Sequence, residues 1–275
     1  MRSNHEFRFL MCPPHHFGVE YVINPWMQGH IDAADQELAC RQWKQLHAVL
    51  SQHAEVALMP AVNGLPDLVF TANAALVHRQ TAVLSSFRCP ERQPEAWHYA
   101  EWLSAHGFQV KTLPAGTWFE GAGDALFDRG SKALLWFGYG YRSQAAAGPH
   151  LQRSLGVPVQ GLRLCDPRFY HLDTCFCPLE GGHLLYYPAA FDQQANAAIE
   201  AQVPAERRWA VSEEDARQFA CNAVNIGTRV ILNYATSELA TWLASRGFKV
   251  IQTRMSEFIK AGGSTKCLSL RLDEG

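Results

Sequence analysis

Apolar positions along the chain follow two alternating rhythms. Between residues 34 and 52, Leu38, Trp43, Leu46 and Leu50 recur at the 3.6-residue spacing of a helix that buries one face. Further helices are predicted over residues 94–106, 150–155, 193–200, 213–219 and 237–246. Short stretches with alternate apolar residues, such as "FQVKTL" and "FKVIQT", carry the period of half-buried strands. Helical and strand patterns alternate to the end and no low-complexity linker interrupts them, which predicts an α/β fold and a single domain over residues 1–275.

The chain also resembles itself. "EWLSAHGFQVKTLPAGTWFEGAGDALF" and "TWLASRGFKVIQTRMSEFIKAGGSTKCLSL" share Trp-Leu, two small residues, a basic residue, Gly-Phe, a strand, a loop and a second strand. In each, a glycine, Gly107 or Gly247, is predicted just past the helix end, where a left-handed backbone costs little. Weaker copies are "LHAVLSQHAEVALMPAVNGLPDLVFTANAAL", "LQRSLGVPVQGLRLCDPRFYHLDTCFCPL" and "RWAVSEEDARQFACNAVNIGTRVILN". Aligned on the second strands, Asn73, Asp124, Asp173, Asn222 and Cys267 recur at intervals of 51, 49, 49 and 45 residues. Units of about 50 residues repeated in this way fit a closed five-bladed propeller rather than a doubly wound sheet. Equivalent positions in a circular array converge on its axis, so these residues are expected around one central site.

Composition narrows the function. The 275 residues are 48% hydrophobic and 18% charged, enough for a large core, and the formal net charge is −2. Lysines and arginines are scattered, so the electrostatic footprint of a nucleic-acid binder is missing and a small polar substrate fits better. The first apolar run is too short and too broken by charge and proline for a signal peptide, and no stretch reaches the ~18 apolar residues of a membrane span, so no membrane partner is expected and a cytoplasmic location is. The eight cysteines form no C-x-x-C pair and read as reduced thiols.

Chemistry gathers at the repeat positions. Cys267 lies between a Gly-Gly-Ser-Thr loop and a short strand in "GGSTKCLSLRL", where a scaffold presents a nucleophile. "FYHLDTCF" offers a base, with His171 and Asp173 two residues apart on an expected strand and so on one face, the acid orienting the imidazole. Glu120 and Asp124 in "WFEGAGDALF" flank glycines and would hold a planar cation through charge-assisted hydrogen bonds. "PDLVFTANA" adds Asp67 and Asn73, and Arg88 and Arg142 are candidates for capturing a carboxylate. His171, Asp173, Cys175 and Cys177 also look like metal ligands, but alternate residues along a strand stand ~6.6 Å apart, too far for four to meet one ion.

"PDLVFTANA", "FEGAGDAL", "HLDTCFCPL" and "GGSTKCLSL", in this order, resemble the motifs of the guanidino-group-modifying (pentein) superfamily. "MCPPHHFGVEYVINPWM" is further similar to the opening of arginine dihydrolase domains. The resemblance implies a five-bladed α/β propeller, Cys267 as nucleophile and His171 as acid and base. It implies a guanidinium held by Asp124 with Glu120, with Asp173 nearby, an amino-acid contact at Asn24, carboxylate-binding arginines at Arg88 and Arg142, and no metal or organic cofactor. Deiminases and dimethylaminohydrolases of this superfamily usually carry an acid where this chain has Asn73, whereas dihydrolases carry asparagine. The reaction so implied is hydrolysis of arginine to ornithine, carbon dioxide and ammonia. The alternatives are deimination to citrulline, loss of dimethylamine from dimethylarginine and, in another class, a non-catalytic arginine-binding propeller.

Overall fold

A computed structural model describes residues 6–275. In chain order the elements are β1 (Arg8–Met11), α1 (Gln36–Ser51), β2 (Glu55–Leu58), β3 (Ala75–His78), β4 (Thr81–Leu84), α2 (Glu95–Ala105), β5 (Gln109–Lys111), β6 (Ala125–Phe127), β7 (Leu135–Tyr139), α3 (Ala147–Leu155) and β8 (Val159–Arg163). They continue with β9 (Phe176–Leu179), β10 (His183–Tyr186), α4 (Gln193–Gln202), β11 (Arg208–Ala210), α5 (Glu213–Arg217), β12 (Val224–Ile226), β13 (Arg229–Leu232), α6 (Ser237–Ser245), β14 (Lys249–Gln252), α7 (Ser256–Ile259) and β15 (Leu270–Arg271). Among the described residues no helix is long and apolar enough to cross a membrane.

The strands form five sheets of three: β3-β4-β5, β6-β7-β8, β9-β10-β11, β12-β13-β14 and β15-β1-β2. Each blade is an antiparallel pair followed by a helical crossover to a parallel third strand. The last blade joins the two ends of the chain: Phe9 pairs with Arg271 and Leu10 with Leu270 in antiparallel register, while Leu10 faces Ala57 in parallel. The array therefore closes on itself, as the repeat implied, into a five-bladed α/β propeller.

The repeat read from the sequence straddles two blades. In "EWLSAHGFQVKTLPAGTWFEGAGDALF" the helix and first strand are α2 and β5, which complete one blade, and the second strand is β6, which opens the next. The glycines past α2 and α6 have φ of 85° and 84°, the left-handed stop their sequence positions predicted. Observed helices lie within a few residues of the expected ones. One ends early: residues 213–219 were expected helical, but α5 stops at Arg217 because Phe219 sits at φ 58° to place its buried ring 4.7 Å from Trp26. α7 carries too few residues for a periodic signal, and the sequence pattern missed it.

Burial follows the predicted faces. Leu46 and Leu50 of α1 are fully buried, and Trp43 nearly so. In the closing blade, Leu10 is at 0% exposure while its neighbour in register on β2, Ala57, is only part-buried. Leu10→Ala should therefore destabilise the protein by about 2–5 kcal/mol, the range for cavity formation at a closed site. Leu58→Ala on the adjacent strand, at 47% exposure, should change stability by less than about 0.5 kcal/mol. Urea titration of both variants measures the contrast, and similar midpoints would mean that the ring does not depend on this junction.

Candidate active site

The repeat positions meet, though on turns rather than strands. Asn73 ends a single 3-10 turn (Thr71–Asn73), Asp124 follows another (Gly121–Gly123), and Asp173 lies inside a third (Leu172–Thr174). Asn222 and Cys267 occupy turns just before β12 and β15. Placed there, the five units hold one another in sequence. Asn73 Nδ2 donates to Glu120 O (3.2 Å), Leu172 N to Asp124 Oδ1 (3.0 Å) and Asn222 Nδ2 to Asp173 O (3.1 Å). Cys267 N then donates to Asn222 Oδ1 (3.1 Å), and Ala72 N to Cys267 O (3.1 Å), which returns to the start. The role of Asn222 was not assigned from sequence. It clamps the nucleophile candidate, receiving Lys266 N and Cys267 N on one end of its amide and placing Nδ2 3.1 Å from Cys267 Sγ on the other.

The turn also changes the partners of the His171 pair. Residues two apart share a face on a strand, but His171 caps the 3-10 turn and Asp173 sits within it, so the two side chains diverge. Asp173 turns to Cys267, with carboxylate oxygens 3.7 and 3.8 Å from Sγ, and lies 3.6 Å from Lys266 Nζ. The acid that orients the imidazole is Glu120, whose Oε2 is 2.7 Å from His171 Nε2. Glu120 Oε2 also accepts from Arg142 Nη1 at 3.0 Å, and Oε1 from the backbone N–H of Arg88 at 3.3 Å. Asp124 accepts from Ser143 Oγ (2.6 Å) as well as from Leu172 N.

Electrostatics separates these acids. Burial alone would raise the Glu120 carboxyl, but the Arg142 guanidinium and His171 outweigh it and hold the group well below the ordinary carboxylate range. At Asp124 burial outweighs the pull of His171 and of the Ser143 hydrogen bond and pushes the group up to about 6. Asp173 is likewise raised by burial, against the pull of Lys266. Burial, reinforced by the Asp173 carboxylate, drives the Cys267 thiol far above the usual thiol range. A thiolate at this position requires an additional positive charge beside it.

Cys267 opens on a small cavity of about 10 Å³ whose walls include Asn24, Asp67, Asn73, Arg92 and Arg142. Arg142 is 4% exposed, stacks 4.7 Å above the Tyr170 ring and donates from Nη2 to Ile23 O at 2.9 Å. Asn24 uses both ends of its amide, accepting from Trp26 N and Met27 N and donating to Ala261 O at 3.0 Å, so it pins the Pro25–Met27 turn against the loop that leads to Cys267. Arg88 stands apart from this cavity: its side chain is exposed, donates to Tyr141 O and lies over Trp118. The second arginine lining the cavity, beside Arg142, is Arg92, four residues on from Arg88. Sequence reasoning missed it because an arginine rarely goes inside unpaired, and its partner, Glu95, is recognisable only as an acid three residues later across a helix start. Asp67 is also buried here. Its Oδ2 accepts from Tyr21 Oη at 3.0 Å, and Oδ1 has no partner among the described residues.

Comparison with known proteins identifies the family. A family profile described as N,N dimethylarginine dimethylhydrolase, eukaryotic, matches residues 14–272. The bifunctional arginine dihydrolase/ornithine cyclodeaminase ArgZ of Synechocystis is 52% identical over 269 residues, which is 98% of this chain and 38% of that protein. This chain thus spans well under half the length of that relative. The N(G),N(G)-dimethylarginine dimethylaminohydrolase of Mycobacterium tuberculosis is 39% identical over 96% of this chain and 85% of its own. Solved structures of the ArgZ N-terminal domain superpose with a TM-score of 0.96 at 51% identity, covering 98% of both chains. One is a cysteine-to-serine variant bound to substrate, and another is an asparagine-to-serine variant covalently bound to a reaction intermediate. From its five blades, its axial ring of motif residues and a match running nearly end to end, this chain belongs to the dimethylarginine dimethylhydrolase family of the pentein superfamily.

Proposed function

We propose that this chain hydrolyses arginine through a covalent adduct on Cys267, consuming two waters and yielding ornithine, carbon dioxide and two ammonia molecules. The observation that carries this reading is Asn73 on the wall of the cavity beside Cys267, where the amide replaces the acid expected of a one-step deiminase. A carboxylate only accepts hydrogen bonds and suits a guanidinium. An amide donates as well, and so also suits the carbonyl oxygen of the ureido group formed after the first hydrolysis. That relatives of this chain include an arginine dihydrolase, and that an asparagine variant of its domain holds a covalent intermediate, supports the same reading.

The sequence of events follows from the site's charges. A guanidinium entering beside Asp173 brings the cation that the buried thiol lacks, so binding itself promotes the thiolate. Cys267 Sγ attacks the guanidinium carbon, and His171, oriented by Glu120, protonates the departing ammonia. Water then attacks the thiouronium carbon with His171 as base, and the C–S bond breaks. The ureido product stays, held through Asn73; Cys267 attacks its carbon, a second ammonia leaves, and water cleaves the thiocarbamate C–S bond to a carbamic acid that gives ornithine and carbon dioxide. Asp124, raised towards neutrality, supplies a further group facing the reacting nitrogens without placing full repulsion against Asp173. The free Oδ1 of Asp67 is matched to the substrate's ammonium, and Arg142 to its carboxylate. A second reading, one-step hydrolysis of arginine or dimethylarginine to citrulline, is favoured by the dimethylaminohydrolase relative.

Four outcomes test the proposal. Cys267→Ser should abolish turnover, and mass labelling of the unmodified protein during turnover should place the adduct on Cys267; retained activity would remove it as nucleophile. Because the thiol must lose a proton that burial and Asp173 help it keep, kcat/KM should rise with pH between about 7 and 9, approaching tenfold per unit on the steep part; a flat profile would deny the thiolate step. Amino-acid analysis distinguishes the products: the unmodified chain should give ornithine with little citrulline, and Asn73→Asp should stop at citrulline. Citrulline as the sole product of the unmodified chain would favour the second reading. Arg142→Ala should raise KM for arginine roughly tenfold or more relative to agmatine, which lacks the carboxylate, and lower kcat for both by unpairing Glu120. Equal KM changes for the two substrates would dismiss the carboxylate contact.

A further inference from the structure

Asn73 is held from two sides. Arg92 Nη1 donates to its Oδ1 at 2.9 Å, and its Nδ2 donates to Glu120 O at 3.2 Å. A guanidinium has no acceptor and a backbone carbonyl has no donor, so these two partners fix which end of the amide is oxygen. With Arg92 retracted, the Glu120 carbonyl alone among the described residues would distinguish the two ends.

Arg92 is itself immobilised. Both oxygens of Glu95 take its Nε and Nη2 at 2.8 Å in a bidentate fork, Nη2 reaches Asp67 O at 3.3 Å, and the guanidinium lies 4.7 Å over the Phe87 ring. Once the fork and the ring have set the guanidinium plane, Nη1 is the nitrogen left to face Asn73. Arg92, Glu95 and Asn73 are 3%, 0% and 2% exposed. A buried ion pair of this kind is seldom retained for stability, since well-packed apolar residues often serve as well or better. Glu95 is anchored as the first residue of α2 and does not line the cavity, so it acts only through Arg92.

The geometry points to Glu95 as a positioning residue for product choice: through Arg92 it holds the Asn73 amide with its NH2 available to the reacting group, and so keeps the ureido intermediate bound for the second hydrolysis. This rests on the reading above that Asn73 retains that intermediate. Replacing Glu95 with glutamine leaves one acceptor for the fork and removes the opposing charge. Arg92 is then drawn towards Asp67 Oδ2, 4.0 Å from its Nε, and away from Asn73.

The test is the citrulline-to-ornithine ratio formed from arginine by the full chain. This ratio does not depend on the fraction of enzyme that is folded, so a loss of stability alone leaves it unchanged. Glu95→Gln should raise it roughly tenfold, the worth of one charge-assisted hydrogen bond, while arginine consumption falls by less. Glu95→Asp, which keeps the charge but shortens the reach, should give an intermediate ratio, and it is the variant to measure should Glu95→Gln not fold. An unchanged ratio in either folded variant overturns the assignment of Glu95 while leaving the dihydrolase reading intact. An unmodified chain that forms citrulline alone overturns both, and is recognised before any variant is made.

Discussion

The structure turns on one requirement: polar groups brought to the axis of a closed ring have no water to bond, so they must satisfy one another. Five blades can meet at an axis only if each delivers a short turn there, and a turn leaves backbone N–H and C=O groups unpaired. Asn73, Asp124, Asp173, Asn222 and Cys267 resolve this by bonding each unit to the next, closing the circuit through Ala72 N and Cys267 O. The hydrogen bonds that allow the blades to pack are thus also those that aim the chemical groups. Rigidity of the site is a by-product of closing the fold.

Within that ring, charge is distributed unevenly. Glu120 receives Arg142 and His171 and stays ionised, so it serves as a fixed anchor for the imidazole. Asp124 and Asp173 have weaker compensation and are raised by burial, which leaves them responsive to an incoming cation. Cys267, beside Asp173, is unfavourable as a thiolate until such a cation arrives. In the proposed reaction substrate and nucleophile are in this way matched by electrostatics: a neutral molecule in the cavity would leave the thiol protonated.

Much of this was legible in the sequence. Periodicity located six of the helices, the glycine stops and the fivefold register, because helix faces and left-handed caps are local properties that the chain carries with it. The convergence of Asn73, Asp124, Asp173, Asn222 and Cys267 followed from the repeat, since rotational symmetry places equivalent positions together whatever their details. The repeat units do not coincide with the blades, because a ring has no first strand and a repeat can be cut at any phase. The His171–Asp173 pairing was misread, because strand geometry was assumed where the chain makes a 3-10 turn, too short to leave a periodic signal.

The propeller and the ring of polar residues were determined by local pattern and by repetition, both of which are written in residue order. Which acid faces which base was settled only by the tertiary structure. Glu120 reaches His171 across 51 positions, Asp173 reaches Cys267 across 94, and Arg92 rather than Arg88 enters the cavity. Such contacts depend on the angle at which each turn meets the axis, and that angle is set by packing between blades. No spacing along the chain encodes it.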